Sequence, residues 1–364
     1  MPSEMSAPVL QVISSTARRG AEVFAVELAE ALRARGRDVE TVALTSARSP
    51  GDLDVPVLGE NSLAPSTLRA LLRKVASSSI VVSHGSRSLP ASFVAMVGTQ
   101  RRLVYRSIGD AVTYASTPAR RARVALYLRR ATAVVVLWPD AAQLLSRRYR
   151  IPLEKIRVIP NGVPAATFAF VDRGRRAAAR QRLGLDEDGS VALFLGALVP
   201  EKGPQVAVDA VASVPRLRLV IAGDGPERAR LEEHARERLP GRALFTGRVE
   251  DPASVLAAAD VLVLPSRTEG MPAVAIEAGL SGLPVVATDV GATREVVIDE
   301  QSGILVPLGD TRALATGLRR ALAEADEMGR RGREHCLRRF EIGVISDAWD
   351  QMLEQLERVT GYPQ

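Results

Sequence analysis

VLVLPSRTEGMPAVAIEA, residues 261–278, is the stretch that decides the fold of this chain. Its first four residues are an apolar, β-branched run that ends at Pro265, as expected of a buried parallel strand. Pro272 fits the first turn of a helix, where a missing N–H costs no hydrogen bond. The unit is therefore a strand, a polar loop and a helix. Glu269 lies in the loop, which presents backbone N–H groups at a helix N-terminus and so favours an anion such as a diphosphate. Glu277 lies eight residues further on, inside the helix.

The alternation of apolar strands and amphipathic helices continues along the whole chain. It predicts a helix over 20–36 with Gly36 as its C-cap, and a last helix over about 345–359. Alternation of this kind indicates parallel sheets covered on both faces, and two runs of about six strands predict two Rossmann-like α/β domains. The predicted strands lie near 8–14, 38–44, 79–83, 102–108, 133–138 and 156–160, then near 191–196, 217–222, 243–246, 261–264, 284–288 and 303–306.

The length of 364 residues exceeds what one ordinary core accommodates and suggests two domains. A turn signal at 161–164 and a polar stretch at 172–176 place the hinge near 162–175. We therefore predict a first domain over 1–165 and a second over 170–342. The C-terminal segment 345–364 would return to the first domain as a helix, with Trp349 packing against it.

Composition excludes several classes of protein. Cys336 is the only cysteine, and the three histidines are widely spaced, so neither a disulfide framework nor a zinc site is expected. The acidic runs at 52–54 and 186–188 lie in polar loops away from strand ends, and we interpret them as solvated. We therefore predict no metal ligands and no cofactor.

Charge is distributed unevenly along the chain. Residues 1–165 hold 23 Lys and Arg against 12 Asp and Glu, whereas 166–364 hold 25 against 30. The basic half could face an acidic acceptor or the inner face of a membrane, while the scarcity of aromatic residues argues against nucleic acid. Without a signal peptide pattern or an apolar run of about 18 residues, we expect a cytoplasmic protein.

Further strand ends carry residues suited to a ligand. FLGALVPEKG at 194–203 places Gly196, which allows close approach of a ligand to the backbone, ahead of Lys202, a point charge for phosphate. AGDGPE, FTGRV and TDVGATRE follow at 222–227, 245–249 and 288–295. In an open α/β sheet the carboxyl ends of the strands line one crevice, where ligands bind.

Taken together, these motifs resemble the donor domain of the retaining family 4 glycosyltransferases, which have the GT-B fold. The family pattern of two glutamates separated by seven residues is met by Glu269 and Glu277, and IPNGV at 159–163 also follows the family's order. The resemblance covers nearly the whole chain and is strongest over 155–310. It implies two Rossmann-like domains with parallel sheets that face one another across a cleft.

The resemblance also implies roles for individual residues. Glu277 would bind the ribose of a nucleotide sugar, Glu269 would face the donor sugar, and Lys202 would pair with the diphosphate. In the first domain, the loop ARRGAE at 17–22 resembles the family's paired-glycine loop, with Arg19 in place of one glycine. The expected donor-binding residues are Gly20, Arg19, Gly196, Lys202, Val249, Glu269, Gly270, Met271, Pro272, Ala273 and Glu277.

Two positions depart from the family pattern. Ala197 stands where the family usually has an arginine that offsets leaving-group charge, and Arg19 or Arg294 could replace it. In YRSIGD at 105–110, Gly109 stands where the family has a histidine. His84, at the end of the preceding strand, resembles another family histidine. The expected catalytic residues are Glu269, Lys202, His84 and Asp110.

These expectations define a metal-independent hexosyltransferase that uses a nucleotide sugar, such as a UDP-sugar, as co-substrate and retains the anomeric configuration. The acceptor would be a small molecule, a glycan or a lipid-linked molecule. A catalytically degenerate partner of another transferase, which binds a nucleotide sugar or a glycan, is the alternative, supported by Ala197 and Gly109. A sugar-nucleotide epimerase is a third interpretation. An oxidoreductase is disfavoured because no G-x-G-x-x-G follows the first strand of either domain.

Overall fold

The computed structural model describes residues 7–47, 52–109 and 117–358, which fold into two units. Unit 1 contains the described residues up to Gly162 together with those from Ile342 onward, and unit 2 is the continuous segment Val163–Glu341. Each unit has one parallel sheet covered by helices, which confirms the predicted α/β class. None of the helices in these ranges is long and apolar enough to cross a bilayer.

The sheet of unit 1 has seven parallel strands in the order β3-β2-β1-β4-β5-β6-β7. The sequence did not predict β3, because it is only three residues long and lies at the sheet edge, where Val57 is exposed. The strands are β1 Val9–Ser15, β2 Val39–Thr45, β3 Val57–Gly59, β4 Ile80–His84, β5 Arg102–Arg106, β6 Ala133–Val136 and β7 Ile156–Val158. The helices are α1 Gly20–Arg33, α2 Pro65–Ala76, α3 Leu89–Met96, α4 Pro118–Arg130 and α5 Pro139–Tyr149.

Helix α1 shows how the sequence forms these elements. Phe24, Leu28 and Leu32 recur at helical spacing and are all buried against the sheet. The helix ends at Arg33, three residues before the predicted end, and Gly36 takes the left-handed conformation at φ +84° beyond it. Gly36 therefore belongs to the turn after the helix, where its lack of a Cβ permits positive φ.

Unit 2 has six parallel strands in the order β10-β9-β8-β11-β12-β13, and all six were predicted. Short, wholly buried runs such as β11 give the continuous apolar pattern of a strand covered on both faces. The strands are β8 Val191–Leu195, β9 Arg218–Ala222, β10 Ala243–Gly247, β11 Val261–Leu264, β12 Val285–Thr288 and β13 Gly303–Val306. The helices are α6 Arg173–Leu183, α7 Pro204–Ala212, α8 Arg228–Arg238, α9 Pro252–Leu256, α10 Ala273–Leu280, α11 Thr293–Val296, α12 Thr311–Ala323 and α13 Ala325–Arg339.

The last described helix, α14 Ile342–Arg358, belongs to unit 1 and packs on α1. It places Trp349, wholly buried, in the same core cluster as Phe24 and the strand residues Val82 and Val104. At its edge, Arg35 pairs with Asp347 at 2.7 Å. The core of unit 1 is therefore completed by a helix that follows unit 2 in the chain.

Candidate active site

The carboxyl-end loops of β8, β9 and β10 are joined by backbone hydrogen bonds. Gly196 N–H donates to the carbonyl of Ala222 at 3.0 Å, and Gly223 N–H donates to the carbonyl of Gly247 at 2.7 Å. A Cβ on Gly223 would lie 1.9 Å from the carbonyl oxygen of Gly196, so only glycine fits this contact. A Cβ on Gly196 itself would meet nothing within 4 Å. Gly223 therefore serves loop packing, while Gly196 faces open space.

Glu269 is at the centre of the polar groups on this edge of unit 2. Lys202 Nζ donates to Glu269 Oε1 at 2.7 Å, and Ser266 Oγ donates to the same oxygen at 2.6 Å. The glutamate and the serine are buried, whereas the lysine side chain is 32% exposed. The carboxylate is therefore held from inside the unit by Ser266, and its cationic partner reaches solvent.

Sequence reasoning missed Ser266. The residue follows Pro265 at the end of β11, inside the stretch that decided the fold. Its position immediately after a buried strand and three residues before a candidate carboxylate was the available signal. A single serine at a strand end has many structural uses, so this signal could not single it out.

The loop after β12 supports the Glu269 loop. Gly291 has φ +56°, and a Cβ there would lie 1.9 Å from the carbonyl oxygen of Glu269. Ala292 N–H donates to the carbonyl of Gly270 at 2.8 Å, and Thr288 Oγ1 donates to the carbonyl of Ser266. The end of β12 and the loop after it therefore fix the backbone that carries the candidate carboxylate.

The N-terminus of α10 follows this loop. The helix begins at Ala273, so Pro272 is its N-cap with φ −73° and ψ 105°, one position earlier than the predicted first-turn site. Within the described ranges, the amides of Gly270 and Ala273 donate to no acceptor. Met271 and Pro272 are buried beside them. Unpaired amides at a helix N-terminus suit an anion.

Glu277 lies one turn inside α10 and is half-buried. Burial raises the pKa of its carboxyl to about 7, because the charged form is poorly solvated there. No hydrogen bond to its side chain is formed by any described residue. Its oxygens are thus left to accept hydrogen bonds from a ligand.

Val249 lies on the same edge but at the far side of the sheet, since β10 is three strands away from β11. It follows β10, in the loop before α9, and is half-buried. Gly247, which ends β10, has φ +73° and turns the chain out of the sheet. The role of Val249 in donor binding remains a prediction.

In unit 1 the loop after β1 leads into α1. Arg19 is the N-cap, with extended backbone and no capping side-chain bond, and it is exposed. A Cβ on Gly20 would meet nothing within 4 Å. In the described part of the chain, no acceptor meets the amides of Gly20 and Ala21. This is a second helix N-terminus open to an anion.

The interpretation of both acidic runs as solvated is wrong for Asp52. Its Oδ2 accepts a hydrogen bond from Thr16 Oγ1 at 2.7 Å, so the carboxylate anchors the loop before α1. Asp186 is exposed and pairs with Arg218 at 3.3 Å. Among the residues described, no group of three or more His, Cys, Asp and Glu could hold a metal ion.

His84, predicted to reach a substrate, lies instead in the core of unit 1. It is 3% exposed, with its ring stacked on Trp349 at 6.3 Å between centroids and near Phe24 at 6.4 Å. Neither ring nitrogen has a hydrogen-bond partner among described residues. Burial, and then the nearby charge of Arg106, hold its pKa well below the usual value. The structure therefore gives His84 a packing role.

Arg106, which ends the neighbouring strand β5, is also fully buried. Its guanidinium lies 3.8 Å from the centroid of the Phe24 ring, and Nη2 donates to Asn161 Oδ1. Burial lowers its pKa to about 9. The neighbouring Asp110, a predicted catalytic residue, lies outside the described residues.

The two arginines proposed to replace the family arginine at Ala197 differ in their surroundings. Arg294 Nε donates to Asp289 Oδ1 at 3.0 Å, so its charge is already paired within the loop after β12. No carboxylate in the described ranges pairs with Arg19. Of the two arginines, Arg19 is therefore the one whose charge is not neutralised by a described carboxylate.

Two units, each with a parallel sheet, and polar groups gathered at the strand carboxyl ends of unit 2 agree with the GT-B class of glycosyltransferases. The chain belongs to glycosyltransferase family 4: residues 18–167 match the model described as Glycosyltransferase Family 4, and residues 175–335 match Glycosyl transferases group 1. It is 34% identical over 358 residues to the D-inositol 3-phosphate glycosyltransferase of Xylanimonas cellulosilytica, covering 86% of this chain and 85% of the relative.

Solved structures agree with this assignment. Sucrose-phosphate synthase from Thermosynechococcus elongatus superimposes with a TM-score of 0.85 at 25% identity, covering 97% of this chain and 100% of that one. Anabaena HepE, solved in complex with UDP and glucose, superimposes with a TM-score of 0.84 at 21% identity, covering 96% and 99%. The GT-B fold predicted from the sequence is confirmed.

Proposed function

We propose that this glycosyltransferase moves a hexose-type sugar from a nucleoside diphosphate donor to an acceptor hydroxyl, with retention at the anomeric carbon. The observation that carries the proposal is the hydrogen-bonded group of Lys202, Glu269 and Ser266 beside the unpaired amides of α10. These groups offer one cation from the loop after β8, and one carboxylate and a helix N-terminus from the loop after β11. A sugar diphosphate needs all three kinds of group.

Each group has a distinct task in this proposal. The diphosphate accepts hydrogen bonds from the amides of Gly270 and Ala273, and the helix dipole adds to the attraction. Lys202, which is partly exposed, turns from Glu269 towards the diphosphate and stabilises the charge that develops on the leaving group. Glu269, held in place by Ser266, then accepts hydrogen bonds from sugar hydroxyls. Glu277 accepts hydrogen bonds from the ribose.

Bond breaking between the anomeric carbon and the phosphate oxygen leaves an oxocarbenium-like sugar. The acceptor hydroxyl attacks from the face that the diphosphate leaves, and a departing phosphate oxygen takes its proton. No side chain is then needed as a strong base, which agrees with the buried position of His84. The amides and Lys202 balance the diphosphate charge, so we propose that the reaction proceeds without a metal ion and without a further cofactor.

The donor is tested by incubating the protein with UDP-, GDP-, dTDP- and ADP-sugars and measuring free nucleoside diphosphate, with and without candidate acceptors and with EDTA present. We expect one donor to release nucleotide in an acceptor-dependent manner despite EDTA, and NMR of the product to show the donor's anomeric configuration. Donor binding is measured separately, from the rise in melting temperature that each donor causes.

Three outcomes would overturn parts of the proposal. Binding of a donor without turnover over a broad panel of small-molecule, glycan and lipid-linked acceptors would favour the degenerate partner suggested by Ala197. Conversion of the donor sugar without acceptor would favour an epimerase. Loss of turnover in EDTA with recovery on adding Mg²⁺ would contradict metal independence.

A further inference from the structure

Helices α4 and α5 of unit 1 enclose a surface groove of about 310 Å³ whose lining is basic. Lys155 adds a further cation at its end, because its Nζ donates to the carbonyl of Arg129 at 3.2 Å. None of the described residues that line it is acidic: they are Arg121, Arg129, Arg148 and Arg150, with Pro118, Ala122, Ala125 and Tyr149. We call this surface the α4–α5 groove.

Four of the five arginines of α4 form no side-chain hydrogen bond or ion pair with described residues, whereas the fifth, Arg130, donates to the carbonyls of Met96 and Thr99. The helix contains five arginines and no acid, and its first turn carries Arg120 and Arg121, where the helix dipole favours negative charge. Among the described carboxylates none pairs with the four exposed arginines of this helix, which are Arg120, Arg121, Arg123 and Arg129.

Helix α13 of unit 2 can be compared with α4, because each helix contains five arginines. It is equally rich in arginine, yet Arg330 pairs with Glu327 at 2.9 Å and Arg331 pairs with the same carboxylate at 2.7 Å. A general preference of this chain for arginine over lysine applies to both helices. It therefore does not explain why acids accompany the arginines in α13 and are missing from α4.

Apolar side chains flank the α4–α5 groove. Leu126 is 55% exposed and lies one turn from Ala122 on α4, and Leu144 is 39% exposed and lies one turn from Arg148 on α5. A small soluble phosphate would gain nothing from leucines at the rim. Tyr149 is buried, so no aromatic platform is offered to nucleic acid bases.

We propose that the α4–α5 groove and its flanking leucines dock unit 1 on a membrane surface that contains anionic phospholipids. The arginines bind headgroup phosphates, and Leu126 and Leu144 enter the boundary between headgroups and acyl chains. This inference concerns a surface of unit 1, and it does not rest on the proposed function.

The test is co-sedimentation of the full chain with sucrose-loaded vesicles of phosphatidylcholine alone, or of equal parts phosphatidylcholine and phosphatidylglycerol. We expect binding only to the anionic vesicles, weakened by added salt. Arg121→Glu with Arg129→Glu should lower the partition coefficient by at least about thirty-fold, because each basic residue removed costs about fivefold and the new carboxylates are repelled. Leu126→Gln should lower it by about three- to tenfold.

The matched control is Arg236→Glu with Arg312→Glu, which makes the same charge change at exposed positions of unit 2. We expect the control to bind anionic vesicles nearly as well as the wild type. Circular dichroism melts of all variants establish that they fold, since the altered side chains are exposed.

Several results would overturn the proposal. Equal binding to neutral and anionic vesicles would remove the role of headgroup charge. An equal loss in the unit 2 control would show that net charge, not the groove, drives binding. Saturable binding of glycerol phosphate by calorimetry, sensitive to the groove variants but without vesicle binding, would assign the groove to a soluble phosphate ligand.

Discussion

The carboxyl edges of the two sheets carry similar kinds of side chain, but a cation at this edge is partly exposed in unit 2, whereas the polar side chains in unit 1 are buried. In unit 2, Lys202 reaches solvent and pairs with Glu269. In unit 1, His84 and Arg106 end neighbouring strands at the equivalent edge, yet both are buried, His84 against the ring of Trp349 in α14 and Arg106 against the ring of Phe24 in α1. A polar residue at a strand end is therefore a ligand group only where no other element packs over it.

Removing the element that seals unit 1 should have the largest effect. Trp349→Ala deletes a wholly buried side chain, so we expect unfolding free energy to fall by about 3–5 kcal/mol. Denaturant unfolding followed by circular dichroism measures this loss. Val344→Ala, an exposed position of the same helix, is the control and should change little. Equal stability of the two variants would contradict the assigned role of α14.

The open edge of unit 2 is tested by Lys202→Ala. Loss of one charge-stabilising group should lower kcat/KM for the donor by about 10²–10³-fold, while the melting temperature stays near that of the wild type. Lys74→Ala is the matched control, because this lysine is also partly exposed and paired with a glutamate, Glu40 of unit 1. Full activity in the Lys202 variant would remove this residue from the site.

The pH dependence of donor binding sharpens the assignment of Glu277. Burial raises its pKa from 4.5 to about 7, so between these values the folded state holds a proton that the unfolded chain has released. Through Glu277, the free energy of unfolding therefore decreases as pH rises from 4.5 to about 7. Ribose hydroxyls that donate to the carboxylate favour its charged form, so donor affinity should rise by up to about tenfold per pH unit below pH 7.

Calorimetry of donor binding from about pH 6 to pH 8 measures this trend. Glu277→Gln removes the titrating group, so its affinity should be lower and nearly independent of pH. A wild-type affinity that is flat over this range, or a variant that keeps the slope, would exclude Glu277 as the group that binds the ribose.

The smallest effect is expected for His84→Leu, which tests whether the buried strand-end histidine of unit 1 has a packing role only. Both ring nitrogens are buried without partners, so an apolar side chain should cost little, and transferase activity should stay within a few-fold of the wild type. Because the folded-state pKa lies below that of the unfolded chain, His84 destabilises the protein as pH falls below about 6.5. The variant should lose less stability in acid, as thermal melts would show. Strong loss of activity would restore His84 to the site.

The sequence was sufficient to predict the elements whose position depends on a local residue pattern. The strand, loop and helix around Glu269 were all predicted from residues within one short segment, and the structure shows them there. Ser266 was missed because its importance depends on the conformation of that loop. His84 was misplaced because Trp349 of α14, more than 200 residues away in sequence, packs on its ring. Periodicity carries no information about such distant packing.

The return of α14 to unit 1 sets an order on synthesis. A ribosome releases the chain from its N-terminus, so all seven strands of unit 1 emerge before the helix that fills their core. Unit 2, a continuous segment, is complete earlier. The apolar surface of unit 1 that Trp349 later covers is therefore exposed while unit 2 folds. A nascent chain arrested before Ile342 should accordingly bind chaperones through unit 1.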